Sequence, residues 1–184
     1  VEGTIRIGDT LEARVDARRR QATVLNHTAT HLLHAALRQV LGDHIAQRGS
    51  LVAPDRLRFD FSHHAGVAPE ELVAVLDMAN ADVLTDSQVE TVEASRADAE
   101  AMGALSFFGE KYGERVRVVR AGPHSLELCG GTHVGALGQI GPIAIVSEGS
   151  IGSNTRRIEA VTGSAALQRS AQRDAVLAEA AALL

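Results

Sequence analysis

The stretch from Asp16 to Gly42 constrains this chain more than any other. Asp16 can cap a helix, and Gly42 can end it. Between them Leu25, Ala29, Leu32, Leu33, Ala36, Leu37 and Val40 form a broad apolar stripe. His27, His31, His34 and Arg38 form a second stripe, roughly opposite at about 100° per residue. The fold must therefore supply an apolar surface for one side of the helix. The histidine side points either to water or to a second packed layer.

His27 and His31 are four residues apart, which stacks them one turn above the other on one helix face. About a hundred residues later comes Cys129-Gly130-Gly131-Thr132-His133, again with a spacing of four, around the only cysteine of the chain. Three imidazoles and one thiolate suit a tetrahedral zinc ion. The competing reading is a polar helix stripe beside a buried cysteine. A zinc protease does not fit, because its motif places a glutamate directly after the first histidine. Here Thr28 follows His27, and no carboxylate lies between the two histidines.

The remaining pattern is that of an α+β chain: an antiparallel or mixed β-sheet packed with helices, the metal lying between the long helix and the strand-end C-x-x-x-H turn. Residues 4–7 and 10–15 read as strands about a Gly8-Asp9 turn. His44–Val52 reads as extended, Pro54-Asp55 as a turn, and Leu57–Ser62 as a strand alternating with period two. Pro69-Glu70-Glu71 opens a helix to Leu84, which buries Leu72, Val75, Leu76, Ala79 and Val83. A strand over Gln88–Glu93 and a short helix over Ser95–Gly103 follow, then a loop over residues 106–113. Strands are expected at 115–120, 125–128, 142–147 and 155–161, with a flexible loop at 149–154. Ser164 can cap a final helix that leaves the domain.

Composition narrows the function classes. There is no apolar run long enough for a membrane span and no secretory signal. A single cysteine excludes an internal disulfide and fits a reduced, cytoplasmic setting. The net charge of −5 argues against strong RNA affinity by the chain alone. The opening residue is Val1 rather than methionine, which suggests a piece of something longer.

Six ordered segments carry a resemblance: H-T-A-T-H-L-L-H-A-A-L, G-S-L-V, R-F-D-F-S-H, F-G-E-K-Y-G, C-G-G-T-H-V and R-R-I-E-A-V-T-G. Together they resemble the editing region of alanyl-tRNA synthetase, from about Val1 to Gly163. The editing domain of threonyl-tRNA synthetase is similar in its histidine and cysteine pairs. The wording of the last two segments favours the alanyl type. A stand-alone editing deacylase and a non-catalytic, zinc-stabilised tRNA-binding module are the alternatives.

The resemblance implies three parts: the end of a small β-barrel at 1–15, a zinc-dependent editing domain at 16–163, and the start of a helical connector at 164–184. It implies hydrolysis of the ester in seryl- or glycyl-tRNA for alanine, with zinc as cofactor. The partners would be that tRNA and the other domains of the synthetase, whose ligase active site lies outside this chain. It assigns zinc to His27, His31, Cys129 and His133. Four fixed ligands close a tetrahedral site, so an open position would require one to be held loosely, and His133 is the expected one. Gln47 matches the segment that faces the editing pocket. Thr30 is either a substrate contact or a helix-packing residue. Arg156 and Arg157 are expected either at tRNA phosphates or in cross-strand charge pairs. The segment 107–113 would form a pocket wall, altered where Ser106-Phe107-Phe108 stands in place of the family's A-L-F.

Overall fold

A computed structural model describes residues 3–106 and 113–183. The long helix, α1, spans Ala17–Leu41. Asp16 caps it by accepting a hydrogen bond from the Arg19 amide at 3.0 Å, and the Gly42 amide closes it on the Arg38 carbonyl. Gly42 has φ 111°, a conformation that favours glycine at a helix end. From Thr28 to Leu37 every residue of α1 is buried. The histidine stripe therefore meets a second packed layer rather than water.

Strands β1 (Gln47–Val52) and β2 (Leu57–Ser62) form a hairpin, and α2 (Pro69–Leu84) follows. Strand β3 (Val89–Ser95) leads into α3 (Arg96–Ala101), with Ser95 as its cap. Strands β4 (Arg115–Ala121) and β5 (Ser125–Leu128) come next, then a 3-10 turn at Leu137–Ile140. Strands β6 (Ile143–Gly152) and β7 (Thr155–Thr162) precede α4 (Gly163–Ala181).

The expected single sheet is two antiparallel sheets: β1-β2-β7-β6 and β3-β4-β5. Helix α1 runs between them, touching β1, β2 and β7 on one side and β4 and β5 on the other. Its apolar stripe joins Phe59, Phe61, Val75, Ile140 and Ile158 in the main core. The second sheet has a much smaller core of Ala99, Val116, Val118 and Leu128. Asn26 on α1 ties distant segments together. Its amide donates to the Ala53 carbonyl at 2.7 Å, and its Oδ1 accepts from the Thr162 hydroxyl at 2.8 Å.

Three local expectations are corrected. The strand pair about Gly8-Asp9 is not formed, although the turn is: the Arg6 amide donates to the Asp9 carboxylate at 2.7 Å, and the Asp9 amide to the Arg6 carbonyl. Residues 3–15 are exposed throughout, and two short strands with no buried face have too little to hold them. Residues 149–152 are ladder rather than loop, because β6 and β7 pair down to a two-residue turn at Ser153-Asn154, where Asn154 takes φ 53°. Ser164 does not cap α4; the helix already includes it, and the N-cap is Thr162, whose hydroxyl is committed to Asn26. The expected pocket wall over 107–112 lies outside the described residues. Among the described residues no helix is long and apolar enough to cross a membrane.

Candidate metal centre

The fold brings the two halves of the expected ligand set together. One ligand atom from each of His27, His31, Cys129 and His133 lies within 4.8 Å of the others, so the group could hold a metal ion. Cys129 Sγ is 3.5 Å from His27 Nε2 and 3.4 Å from His133 Nε2. The cysteine follows β5, and its amide donates to the Arg117 carbonyl of β4 at 3.0 Å. The Arg117 guanidinium donates to the carbonyls of Gly130 and Gly131, which anchors the turn from below.

The two glycines differ in their purpose. Neither has a positive φ. A Cβ on Gly130 would meet nothing within 4 Å, whereas one on Gly131 would sit 2.1 Å from His27 Cε1. Gly131 is thus required by the close approach of an imidazole, not by the bend of the chain.

The partners of the three imidazoles fix their tautomers. His27 Nδ1 lies 3.3 Å from the Thr132 carbonyl, which can only accept, so Nδ1 donates. The Thr28 hydroxyl gives its one proton to the Val24 carbonyl at 3.2 Å and accepts from the Val134 amide. His133 Nδ1, 3.3 Å from that hydroxyl, must therefore donate to it. His31 Nδ1 donates to the carboxylate of Glu127. In His27 and His133 the proton on Nδ1 leaves the Nε2 lone pair to face the centre, the arrangement that orients histidine ligands at metal centres. The donor set fits a divalent, borderline-soft ion.

Glu127 went unrecognised in the sequence. It is 1% exposed, and its second oxygen accepts from His34 Nδ1 at 2.8 Å. The only hint is its position two residues before Cys129, on the same strand face. Burial pushes its carboxyl up, but the hydrogen bonds and charges of His31 and His34 pull it down to about 2. Burial also opposes charge on His31, yet bonding to Cys129 and Glu127 holds its proton to about 10. The Cys129 thiol is raised by burial but lowered further by His133, His27 and His31, to about 3. In the metal-free chain these groups therefore form a thiolate–imidazolium–carboxylate row. Metal binding at His31 must release a proton.

Beside the centre is a cleft of about 280 Å³ whose walls include Thr30, His34, Gln47, Ser50 and Phe59. Gln47 reaches it from the first position of β1, where the pairing with β2 is bulged. Thr30 donates its hydroxyl proton to the Asn26 carbonyl at 2.8 Å and offers only lone pairs to the cleft. Arg156 and Arg157 lie apart from it, each in a bidentate pair. Arg156 grips Glu148 at 2.6 and 2.8 Å, and Arg157 grips Asp60 at 2.7 and 2.8 Å. His124 pairs with the buried Asp82 at 2.9 Å.

Fold and site together define a class: an α+β domain with a histidine–cysteine centre at the mouth of a cleft. Residues 116–159 match the family described as the threonyl and alanyl tRNA synthetase second additional domain. The chain is 57% identical over 182 residues, 99% of its length, to an alanine–tRNA ligase of Shewanella amazonensis. It is 55% identical over 182 residues to one of Xanthomonas campestris, and 54% identical over 183 residues to one of Stenotrophomonas maltophilia. Over its whole length the chain is thus similar to a section of the alanine–tRNA ligases, and the additional domain falls within that section. The chain spans 21% of the length of these relatives.

Proposed function

We propose that this chain removes serine or glycine wrongly attached to the tRNA for alanine, by hydrolysing the ester to the terminal ribose. One observation carries the reading: the centre of His27, His31, Cys129 and His133 opens onto a cleft that also presents Gln47 and Thr30. The chemistry demands such a site. One methyl group distinguishes alanine from glycine, and a pocket gains only about 1–3 kcal/mol from it, so a second hydrolytic site is needed to reach high fidelity.

On this reading the centre holds zinc, which supplies Lewis-acid polarisation or a more acidic water when bound. Gln47 can donate and accept, and it orients the ester or the attacking water. Thr30, with only lone pairs to offer, accepts from the hydroxyl of a seryl group or from the substrate ammonium. His27 and His133 stand at equivalent distances from Cys129, so geometry does not single out His133 as the looser ligand. The assignments of residues 1–15 to a β-barrel, 16–163 to the editing unit and 164–184 to a connector belong to the same reading. So do the other synthetase domains as partners, with their ligase chemistry, and a cytoplasmic setting.

Deacylation of seryl-tRNA for alanine by the chain tests this, with Cys129→Ala as control. Hydrolysis that disappears in Cys129→Ala while the fold persists is the expected result. A folded, zinc-loaded chain that fails to deacylate, in isolation and within the full-length synthetase, would overturn it. The second reading would then stand: a non-catalytic, zinc-stabilised tRNA-binding module, which four protein ligands on one zinc would favour because they close a tetrahedral site.

A further inference from the structure

Three of the eight histidines gather at a place far along the chain from Cys129. His44 stands in the connection between α1 and β1, and His63 and His64 directly follow β2. The hairpin brings these positions together. The Ser62 hydroxyl donates to the His44 carbonyl at 2.7 Å, and the Ser62 amide donates to the Ala46 carbonyl at 3.0 Å. One ring nitrogen from each histidine lies within 4.8 Å of the others. The ring centroids are 5.2 Å apart for His44 and His63, 5.0 Å for His63 and His64, and 5.7 Å for His44 and His64.

We propose that His44, His63 and His64 form a second cation site, which binds one divalent transition-metal ion through three imidazole nitrogens and keeps a coordination position open to solvent. His44 Nε2 and His63 Nδ1 are 2.9 Å apart, sharing one proton in a hydrogen bond. Two nitrogens on one tetrahedral zinc, with bonds of 2.0–2.1 Å, stand about 3.3 Å apart. Replacing that proton by a metal thus requires an opening of only a few tenths of an ångström. His44 and His64 are exposed and free to adjust, while His63 is buried and fixes the position of the site.

The surroundings of His63 favour its neutral form. Burial, then the charges of His44 and His64, pull His63 below the ordinary histidine range. Glu71 and Arg156 act on His63 in opposite directions, and neither is a competing ligand. The Glu71 carboxylate is committed to the Ala68 amide at 2.8 Å, and Arg156 to Glu148. An all-imidazole set without thiolate or carboxylate selects copper, nickel or zinc over magnesium, calcium or manganese. The consequence for the fold is local. A metal here clamps the entry to β1, three residues before Gln47.

The test is zinc and copper titration of the metal-free 184-residue chain against a chromophoric chelator. It compares the wild type with two double variants, His27→Ala/Cys129→Ala and His44→Ala/His64→Ala. Two equivalents are expected for the wild type and one for each variant. In His44→Ala/His64→Ala the second equivalent should weaken at least 100-fold. Cobalt substitution assigns the sites. The ion that remains in His27→Ala/Cys129→Ala should lack thiolate-to-metal charge-transfer absorption, and the ion in His44→Ala/His64→Ala should show it. His44 and His64 are exposed, so circular dichroism of metal-free His44→Ala/His64→Ala should match the wild type. A wild type that takes up a single equivalent would overturn the proposal. So would a second equivalent that survives in His44→Ala/His64→Ala, or one bound no more tightly than by a peptide with one histidine.

Discussion

Replacing Gly131 with alanine should damage the metal centre while sparing the fold. The added Cβ would lie 2.1 Å from His27 Cε1, 2.7 Å from Nδ1 and 3.3 Å from Nε2. An optimal carbon–carbon contact is about 3.5 Å, so the ring must retreat by about 1.4 Å, or the turn must move as far in the other direction. Metal–ligand distances tolerate changes of only about 0.2 Å. His27 could then no longer serve as a ligand from its present position. Disturbing even the outer partners of a metal ligand costs about 10–100-fold in affinity, so a displaced ligand should cost about 100-fold or more, near 3 kcal/mol. The backbone penalty is small, because Gly131 does not occupy the left-handed region. The metal-free chain should therefore unfold within about 1 kcal/mol of the wild type. Gly130→Ala is the internal control, since its Cβ meets nothing. Competition against a chelator gives the affinities, and denaturant unfolding without metal gives the stabilities. Wild-type affinity in Gly131→Ala would refute the reasoning, as would an equal loss in Gly130→Ala.

Three further outcomes follow from the same geometry. Glu127→Gln removes a buried charge that two imidazoles share and should cost the metal-free chain about 3 kcal/mol near neutral pH. The Glu127 carboxyl is lowered from 4.5 to about 2, so its stabilisation is complete above pH 4.5 and is lost as the pH falls toward 2. Acid unfolding followed by circular dichroism should be flatter across that window in the variant, and an unchanged profile would refute this. If Arg156 and Arg157 serve their carboxylates alone, Arg157→Gln should lower stability and leave the salt dependence of tRNA binding unchanged. A phosphate contact would instead reduce that slope by about one. Gln47→Ala should slow deacylation by at least 10-fold at unchanged zinc content, and equal rates would remove Gln47 from the reaction.

Features encoded locally were legible in the sequence, and features depending on remote partners were not. Helix α1 was delimited by its own caps, Asp16 and Gly42, and α2 by Pro69 with Glu70 and Glu71. Strand β2 was bounded as expected, because its alternation and its turn lie within one short stretch. The division into two sheets was not visible, since no residue of β3 or β7 carries a local mark of its neighbour. The split follows from α1 passing between them. The grouping of His27, His31, Cys129 and His133 was legible because a spacing of four occurs twice, the second time from the only cysteine of the chain. Glu127 was not, because its partners are 96 and 93 residues away and one acid in a strand is ordinarily solvated. Its position two residues before Cys129, on the same strand face, was the one signal within reach. The N-terminal strands failed for the opposite reason: their alternation was real, but Ile5, Ile7, Leu11 and Val15 are exposed, and among the described residues nothing packs over them.

The small core of the second sheet has a consequence for motion. Ala99, Val116, Val118 and Leu128 are too few to hold β3, β4 and β5 independently, so the sheet depends on its seam with α1. That seam is polar: Glu127 and Cys129 on one side, His27, His31 and His34 on the other. Such a sheet is a natural unit of sub-global opening, whose amides exchange with solvent before those of β2 and β7. Loading the centre would join the two units into one. The exchange rates of β4 and β5 would then report, residue by residue, whether the hinge between the halves of this molecule is open or latched.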